Sequence, residues 1–334
     1  MDKKSILLVG TFIDDKDTPY PQAKLISDYL RSEGYKTSCV SALKFKVLRL
    51  LDICFHILIG QHNFLFIQVF SGQAFIYTVF AIILGLLRKK RIIVFLRGGN
   101  LPKFMRKGQS FKVWILKQAE LLIAPSRYLQ HEFSKLGIET IVIPNIIDVS
   151  NYTFKPRSRI SLKILWLRRF IEIYNPMMAV KVVKKLKEDY NEVFMTMAGG
   201  GDSSQLKEMI FEEGLANNIN VLGFISKTAI NDLGQAHDIF INTARIDNVP
   251  VTVIEAMAMG LPVISTNVGG IPYFLKHGVN ALLVDNNDVE GMVYQIKKLF
   301  LYPNLCENLS HHGHETAMQY NWNQVKKKYL EIFN

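Results

Sequence analysis

From Val249 to Ile264 the chain carries one charged residue, Glu255, within Asp247-Asn248-Val249-Pro250-Val251-Thr252-Val253-Ile254-Glu255-Ala256-Met257-Ala258-Met259-Gly260-Leu261-Pro262-Val263-Ile264. So apolar a stretch is expected to be buried, and an ionised carboxylate there is costly unless something satisfies it. Pro250 suits the first turn of a helix. The open N–H groups of such a helix, at 248–252, would favour a phosphate. Glu255, about one turn further in, would accept hydrogen bonds from ribose hydroxyls. On these residues alone, a structural glutamate paired with a basic neighbour or a helix end remains an alternative.

Three more clusters close apolar runs in the same half. Ala198-Gly199-Gly200-Gly201-Asp202 offers backbone that a ligand can approach, and Asp202 or Ser203 can cap the next helix; a plain turn explains it equally well. Asn267-Val268-Gly269-Gly270-Ile271-Pro272 has the same permissive backbone, and Arg168-Arg169 follow the run 162–167, where an arginine would pair with a diphosphate. Gly10 is the only glycine after the first apolar run, and neither G-x-G-x-x-G nor G-x-x-x-x-G-K-S/T occurs. These absences argue against a nicotinamide enzyme or a P-loop NTPase. His311-His312-Gly313-His314 lack a carboxylate or cysteine pattern nearby and are read as a surface cluster at a helix end, with no metal expected. Cys39, Cys54 and Cys306 are scattered and odd in number, which suits a reducing compartment.

The elements that position these clusters follow a pattern that occurs twice. Apolar runs at 5–10, 36–41, 64–69, 91–96, 121–124 and 140–144 alternate with helix-like segments, as expected of parallel strands covered on both faces. The polar stretch 151–161 reads as a linker. A second series follows, with strands near 162–167, 193–198, 219–222, 238–242, 262–266 and 281–284, and clear helices at 176–188, 203–213, 250–259 and 288–300. The expected architecture is α/β: two doubly wound Rossmann-like domains, 1–150 and 162–316, facing across a cleft, with a last helix in 317–334 returning to the first domain. Ligands of such sheets bind at the carboxyl ends of the strands.

Charge is uneven. Residues 1–150 hold 21 Lys and Arg against 11 Asp and Glu, a net +10, whereas the rest hold 19 against 18, a net +1. Such asymmetry implies a membrane surface, lipid phosphate or nucleic acid as partner, or simply a well-solvated surface. Lys44, Lys46 and Arg49, the run Arg88–Arg91, and Lys103, Arg106, Lys107, Lys112 and Lys117 lie among Phe104, Phe111 and Trp114. Basic side chains interleaved with large apolar ones suit an interfacial membrane contact, with ordinary packing as the alternative. The short apolar run after Met1-Asp2-Lys3-Lys4 is read as a first buried strand and not a signal peptide. Residues 64–87 are nearly all apolar, but Ser71-Gly72-Gln73 interrupts them, so a strand and a buried helix are expected there in place of a membrane span.

The segment 247–272 resembles the donor-site signature of retaining family 4 glycosyltransferases: an acid, seven residues, Glu-Ala-x-Ala-x-Gly-x-Pro-Val, then Gly-Gly-Ile-Pro. Ala124-Pro125-Ser126, Val142-Ile143-Pro144-Asn145-Ile146-Ile147-Asp148, Ala198–Asp202 and Val221-Leu222-Gly223-Phe224 resemble further stretches of that family. The resemblance implies a GT-B fold and transfer of a sugar from a nucleotide-sugar to a glycan or lipid-linked acceptor, without metal or other cofactor. It implies that Glu255 binds the ribose, that Asp247 contacts donor-sugar hydroxyls and that Arg169 neutralises the diphosphate. The stretch Asn248, Val249, Pro250 and Val251 would hold sugar and phosphate through its amides, with Gly199, Gly200, Gly223 and Phe224 bordering the donor. Gly10, Arg97, Gly98 and Gly99 fall on the acceptor or phosphate side. The expected setting is bacterial surface polysaccharide or glycolipid synthesis, in the cytoplasm and peripheral on the inner face of the cell membrane, with no nucleic-acid partner.

The departures are specific. Asp247 stands where Glu is commoner. The family's Arg-x-x-x-x-Lys-Gly reads Arg169-Phe170-Ile171-Glu172-Ile173-Tyr174-Asn175, without the lysine. Arg97-Gly98-Gly99-Asn100 stand where members have His-Gly, so Arg97 would serve the phosphate instead. These losses keep open an inactive nucleotide-sugar-binding subunit, and a nucleotide-sugar epimerase of the same fold is a further alternative.

Overall fold

The computed structural model of the chain describes residues 4–12 and 22–333. It divides into two compact units, one running to Ile146 and taken up again from Val325, the other Ile147–Gln324.

In the first unit the strands are β1 (Ser5–Val9), β2 (Lys36–Val40), β3 (Phe64–Val69), β4 (Arg91–Leu96), β5 (Leu121–Ala124) and β6 (Ile141–Val142), in the order β2-β1-β3-β4-β5-β6. In the second they are β7 (Lys163–Leu167), β8 (Phe194–Ala198), β9 (Ile219–Leu222), β10 (Ile239–Asn242), β11 (Val263–Thr266) and β12 (Leu282–Val284), in the order β12-β11-β10-β7-β8-β9. Every pairing is parallel. The unbroken apolar runs explain this: β3 is buried along its whole length, which requires helices on both faces. Strand order reverses between β1 and β3 and again between β10 and β7. Such switch points open a crevice beyond the strand ends.

Helices Ser204–Glu212 and Val251–Ala258 stop short of Gly214 and Gly260, which take left-handed conformations (φ 64° and 79°) as helix terminators do. Three expectations need adjusting. Pro250 lies just before its helix and not in its first turn. The histidine cluster sits inside a helix, Pro303–Met318, and not at a helix end. The apolar segment after β3 forms helix Phe75–Leu87, which is only half-buried and leaves Ile76, Phe80, Ile83, Leu86 and Leu87 exposed. Among the described residues no helix is long and apolar enough to cross a membrane.

The stretch expected as a linker packs on the second unit. Arg157 is buried, and its guanidinium donates to the carbonyls of Lys155, Met259, Gly234 and His237. The last helix, Trp322–Phe333, crosses the division between the units. In the first unit its Phe333 packs edge-on against Phe64, with ring centroids 5.3 Å apart.

Candidate functional site

In the second unit four neighbouring strands, β11, β10, β7 and β8, end side by side at the switch point and bring most of the expected donor residues together. After β7 the chain turns outward at Arg168. Its Nη2 donates to Asp247 Oδ2 at 2.6 Å, its Nε to Asn242 Oδ1 at 3.3 Å, and its guanidinium lies 5.0 Å from the Tyr174 ring centre. Both members of the ion pair are largely shielded from solvent. Asn242, at the end of β10, donates in turn to Ser265 Oγ of β11 at 2.9 Å. The arginine that reaches the acid is therefore Arg168 and not Arg169, which is exposed. Tyr174 occupies the position of the absent lysine, and Arg168 stacks on it.

The glycines hold the strand-end loops against one another. A Cβ on Gly199 would lie 1.9 Å from Arg168 O, and one on Gly269 2.2 Å from Asp247 O. A Cβ on Gly270 would lie 2.4 Å from Asn248 O. These glycines let the strand-end loops press on one another, and so fix Arg168 and Asp247. Gly200 joins the same contact by accepting from Phe170 N at 2.9 Å. Gly223, which accepts from Gly199 N at 3.1 Å, is exposed, and a Cβ there would meet nothing within 4 Å. Phe224 beside it is half-buried.

Helix Val251–Ala258 begins at this edge. Asn248 N–H is not open as expected but donates to Asp247 Oδ1 at 2.8 Å, and Pro250 has no N–H to offer. Val251 and Thr252, first in the helix, have no intrahelical acceptor for their N–H groups, and the buried Thr252 Oγ1 has no partner among the described residues. Val249 is buried and anchors the turn. Glu255 is 6% exposed, and Tyr152 OH donates to its Oε1 at 2.6 Å. Burial raises its pKa, against the Tyr152 hydrogen bond and the nearby charges of Lys227 and Arg168, which lower it. The hydrogen-bond partner of this glutamate is thus a tyrosine hydroxyl, with Lys227 and Arg168 near enough to act on it electrostatically. Sequence gave no sign of Tyr152, which lies 103 positions away.

In the first unit Arg97 follows β4. It is 7% exposed, its guanidinium stacks 3.9 Å from the Phe95 ring centre, and its Nη1 donates to Asn145 Oδ1. Burial pushes its pKa down to about 10. Gly98 is left-handed (φ 83°), Gly99 directly follows it, and Gly10 lies beside Gln68. The basic surplus is partly spent internally. Arg49 is buried and donates to Leu43 O, Arg91 holds Glu120, and Arg106 holds Glu132. The histidines diverge: His314 stacks on Phe154 with Nδ1 at Ala258 O, while His312 Nδ1 meets Val279 O. Among the described residues no three His, Cys, Asp or Glu side chains could share a metal ion.

Fold and site together define a two-unit parallel α/β protein of the GT-B type, and solved structures agree. The chain superposes on sucrose-phosphate synthase from Thermosynechococcus elongatus with a TM-score of 0.80 at 14% identity, covering 99% of this chain and 98% of that one. It superposes on Anabaena HepE, solved in complex with UDP and glucose, with a TM-score of 0.79 at 17% identity, covering 98% and 99%. Residues 155–316, most of the unit that carries the site, match the family model of glycosyl transferases group 1. Curated relatives include an amylovoran biosynthesis glycosyltransferase of Erwinia amylovora, 28% identical over 55% of this chain, and a lipopolysaccharide core biosynthesis glycosyltransferase of Rhizobium meliloti, 25% identical over 51%. The matches span about half the length of these relatives, 48% in each case.

Proposed function

We propose that the chain is a retaining, metal-independent glycosyltransferase that moves a sugar from a nucleotide-sugar to a glycan or lipid-linked acceptor in surface polysaccharide or glycolipid synthesis. The observation that carries this is the pairing, at one switch point, of a charge-matched acid, Asp247 on Arg168, with a buried carboxylate, Glu255, one helical turn behind a helix N-terminus. In this reading Glu255 Oε2 takes a ribose hydroxyl while Tyr152 holds Oε1, and the first-turn N–H groups and Thr252 face a phosphate. Arg168 and Arg169 offset the charge of the departing diphosphate, and Asp247 orients the sugar. The acceptor oxygen bonds to the anomeric carbon as its bond to the phosphate oxygen breaks. The acceptor's proton passes to that phosphate oxygen, on the face the leaving group vacates.

The same reading places the protein on an anionic membrane. Helix Lys46–Ile59 buries Arg49, Ile53 and Ile57 and leaves Val47, Leu48, Leu51, Phe55, Leu58 and Ile59 exposed, with Phe45 75% exposed just before it. The exposed side of the neighbouring helix Phe75–Leu87 adds to this apolar surface, and exposed Arg88 and Lys89 follow it. An apolar surface with a basic rim suits an interfacial contact.

Calorimetric titration with a panel of nucleotide-sugars, followed by donor turnover with membrane extracts supplying acceptors, tests the function. Saturable binding with turnover is expected. Binding without turnover would point to an inactive donor-binding subunit, and no binding of any donor would refute the proposal.

A further inference from the structure

Arg97 is a buried cation with two of its three guanidinium nitrogens unpaired. Its Nη1 is taken by Asn145, and Phe95 supports its flat face, so its orientation is fixed. Its Nε and Nη2 are buried and have no hydrogen-bond partner among the described residues. These two atoms form the edge of a guanidinium that grips an oxyanion with two parallel hydrogen bonds. The same sheet shows that grip completed: at the start of β4, Arg91 uses Nε (3.0 Å) and Nη2 (2.6 Å) on the carboxylate of Glu120. At the other end of that strand, Arg97 presents the same edge with no carboxylate on it.

A second unused donor lies alongside. Gln68 on β3 is paired in register with Phe95 on β4, so Gln68, Phe95 and Arg97 share one face of the sheet. Gln68 is buried, and its Nε2 also has no partner. The turn after Arg97 is not packed over, since a Cβ on Gly98 would meet nothing within 4 Å, and the buried Tyr329 is the group that acts electrostatically on Arg97. An unpaired buried charge and an unpaired buried amide are both unfavourable, and a protein rarely keeps two together at one strand edge unless a ligand completes them.

We propose that Arg97 and Gln68 form an oxyanion site in the first unit, which binds one phosphate or carboxylate group of the acceptor substrate. That the oxyanion belongs to the acceptor rests on the glycosyltransferase reading; the site itself does not. Arg97 Nε and Nη2 grip two oxygens of the group, and Gln68 Nε2 donates to one of them.

The test is thermal unfolding of the full chain at constant ionic strength, titrated separately with inorganic phosphate, glucuronate and, as the neutral control, glucose. Melting temperature should rise with phosphate, glucuronate or both, and not with glucose; the anion that works identifies the acceptor's group. Arg97→Met should abolish the response while leaving the unliganded melting temperature unchanged or higher, because it removes an unmatched buried cation. A purely structural arginine would instead lower it. Gln68→Leu should weaken the response severalfold, and decides the matter should Arg97→Met not fold. No response in the wild-type chain, or the same response in the variants, would overturn the site. Loss of nucleotide-sugar binding with an intact Arg97-dependent response would refute the donor reading alone.

Discussion

At the scale of single residues, the site balances two carboxylates, Asp247 partly buried and Glu255 buried, in different ways. Asp247 is matched by Arg168, whereas Glu255 has a tyrosine hydroxyl on one oxygen and is left with a raised pKa. A carboxyl whose folded-state pKa lies above its unfolded value binds protons more readily when folded. Burial of Glu255 therefore weakens the unliganded fold above that folded pKa, and stability recovers as pH falls towards the unfolded value. Glu255→Gln should keep or raise the melting temperature near neutrality and flatten its rise on mild acidification, while weakening donor binding at least about tenfold. Unfolding scans across pH, paired with calorimetry, check both halves. Asp247→Asn should behave oppositely: it leaves Arg168 shielded and unmatched, so it should lower stability by roughly 1–3 kcal/mol as well as turnover.

At the scale of elements, the strand-end loops are fitted to each other through glycine. Gly269→Ala places a Cβ at a left-handed φ of 54° and 2.2 Å from Asp247 O. A loss of about 3 kcal/mol or more is expected in chemical denaturation, together with loss of donor binding. These loops also show what could be read beforehand. Strand positions were legible because fully buried parallel strands are unbroken apolar runs, and Glu255 because a lone charge in such a run needs a reason. The pairing of Arg168 with Asp247 was not legible, since it depends on which way the backbone turns after β7. Tyr152 was not legible either: it comes from the stretch taken for a linker and meets Glu255 only through tertiary packing. The half-exposed helix Phe75–Leu87 was misjudged because an apolar helix facing solvent has the same composition as one in a core.

At the scale of the whole molecule, the proposed membrane contact rests on the net +10 carried by residues 1–150 and on the apolar surface of helices Lys46–Ile59 and Phe75–Leu87. Electrostatic attraction should bring the chain to anionic vesicles, and insertion of apolar side chains should hold it there. Co-sedimentation should therefore fall severalfold when salt screens the charges. It should fall further in Leu51→Glu/Phe55→Glu, whose folding should be little affected because both side chains are exposed. Undiminished vesicle binding by that double variant would remove apolar insertion from the account, and no vesicle binding by the wild-type chain would remove the membrane.

The central claim is that Glu255 grips the pentose of a nucleotide. It is tested most directly by comparing a donor nucleotide with its 2′,3′-dideoxy analogue on the wild-type chain and on Glu255→Gln. The wild-type chain should favour the ribose form by at least about tenfold, or roughly 1.4 kcal/mol, and the variant should lose most of that preference. An equal preference in both proteins, or none in the wild type, would contradict the claim.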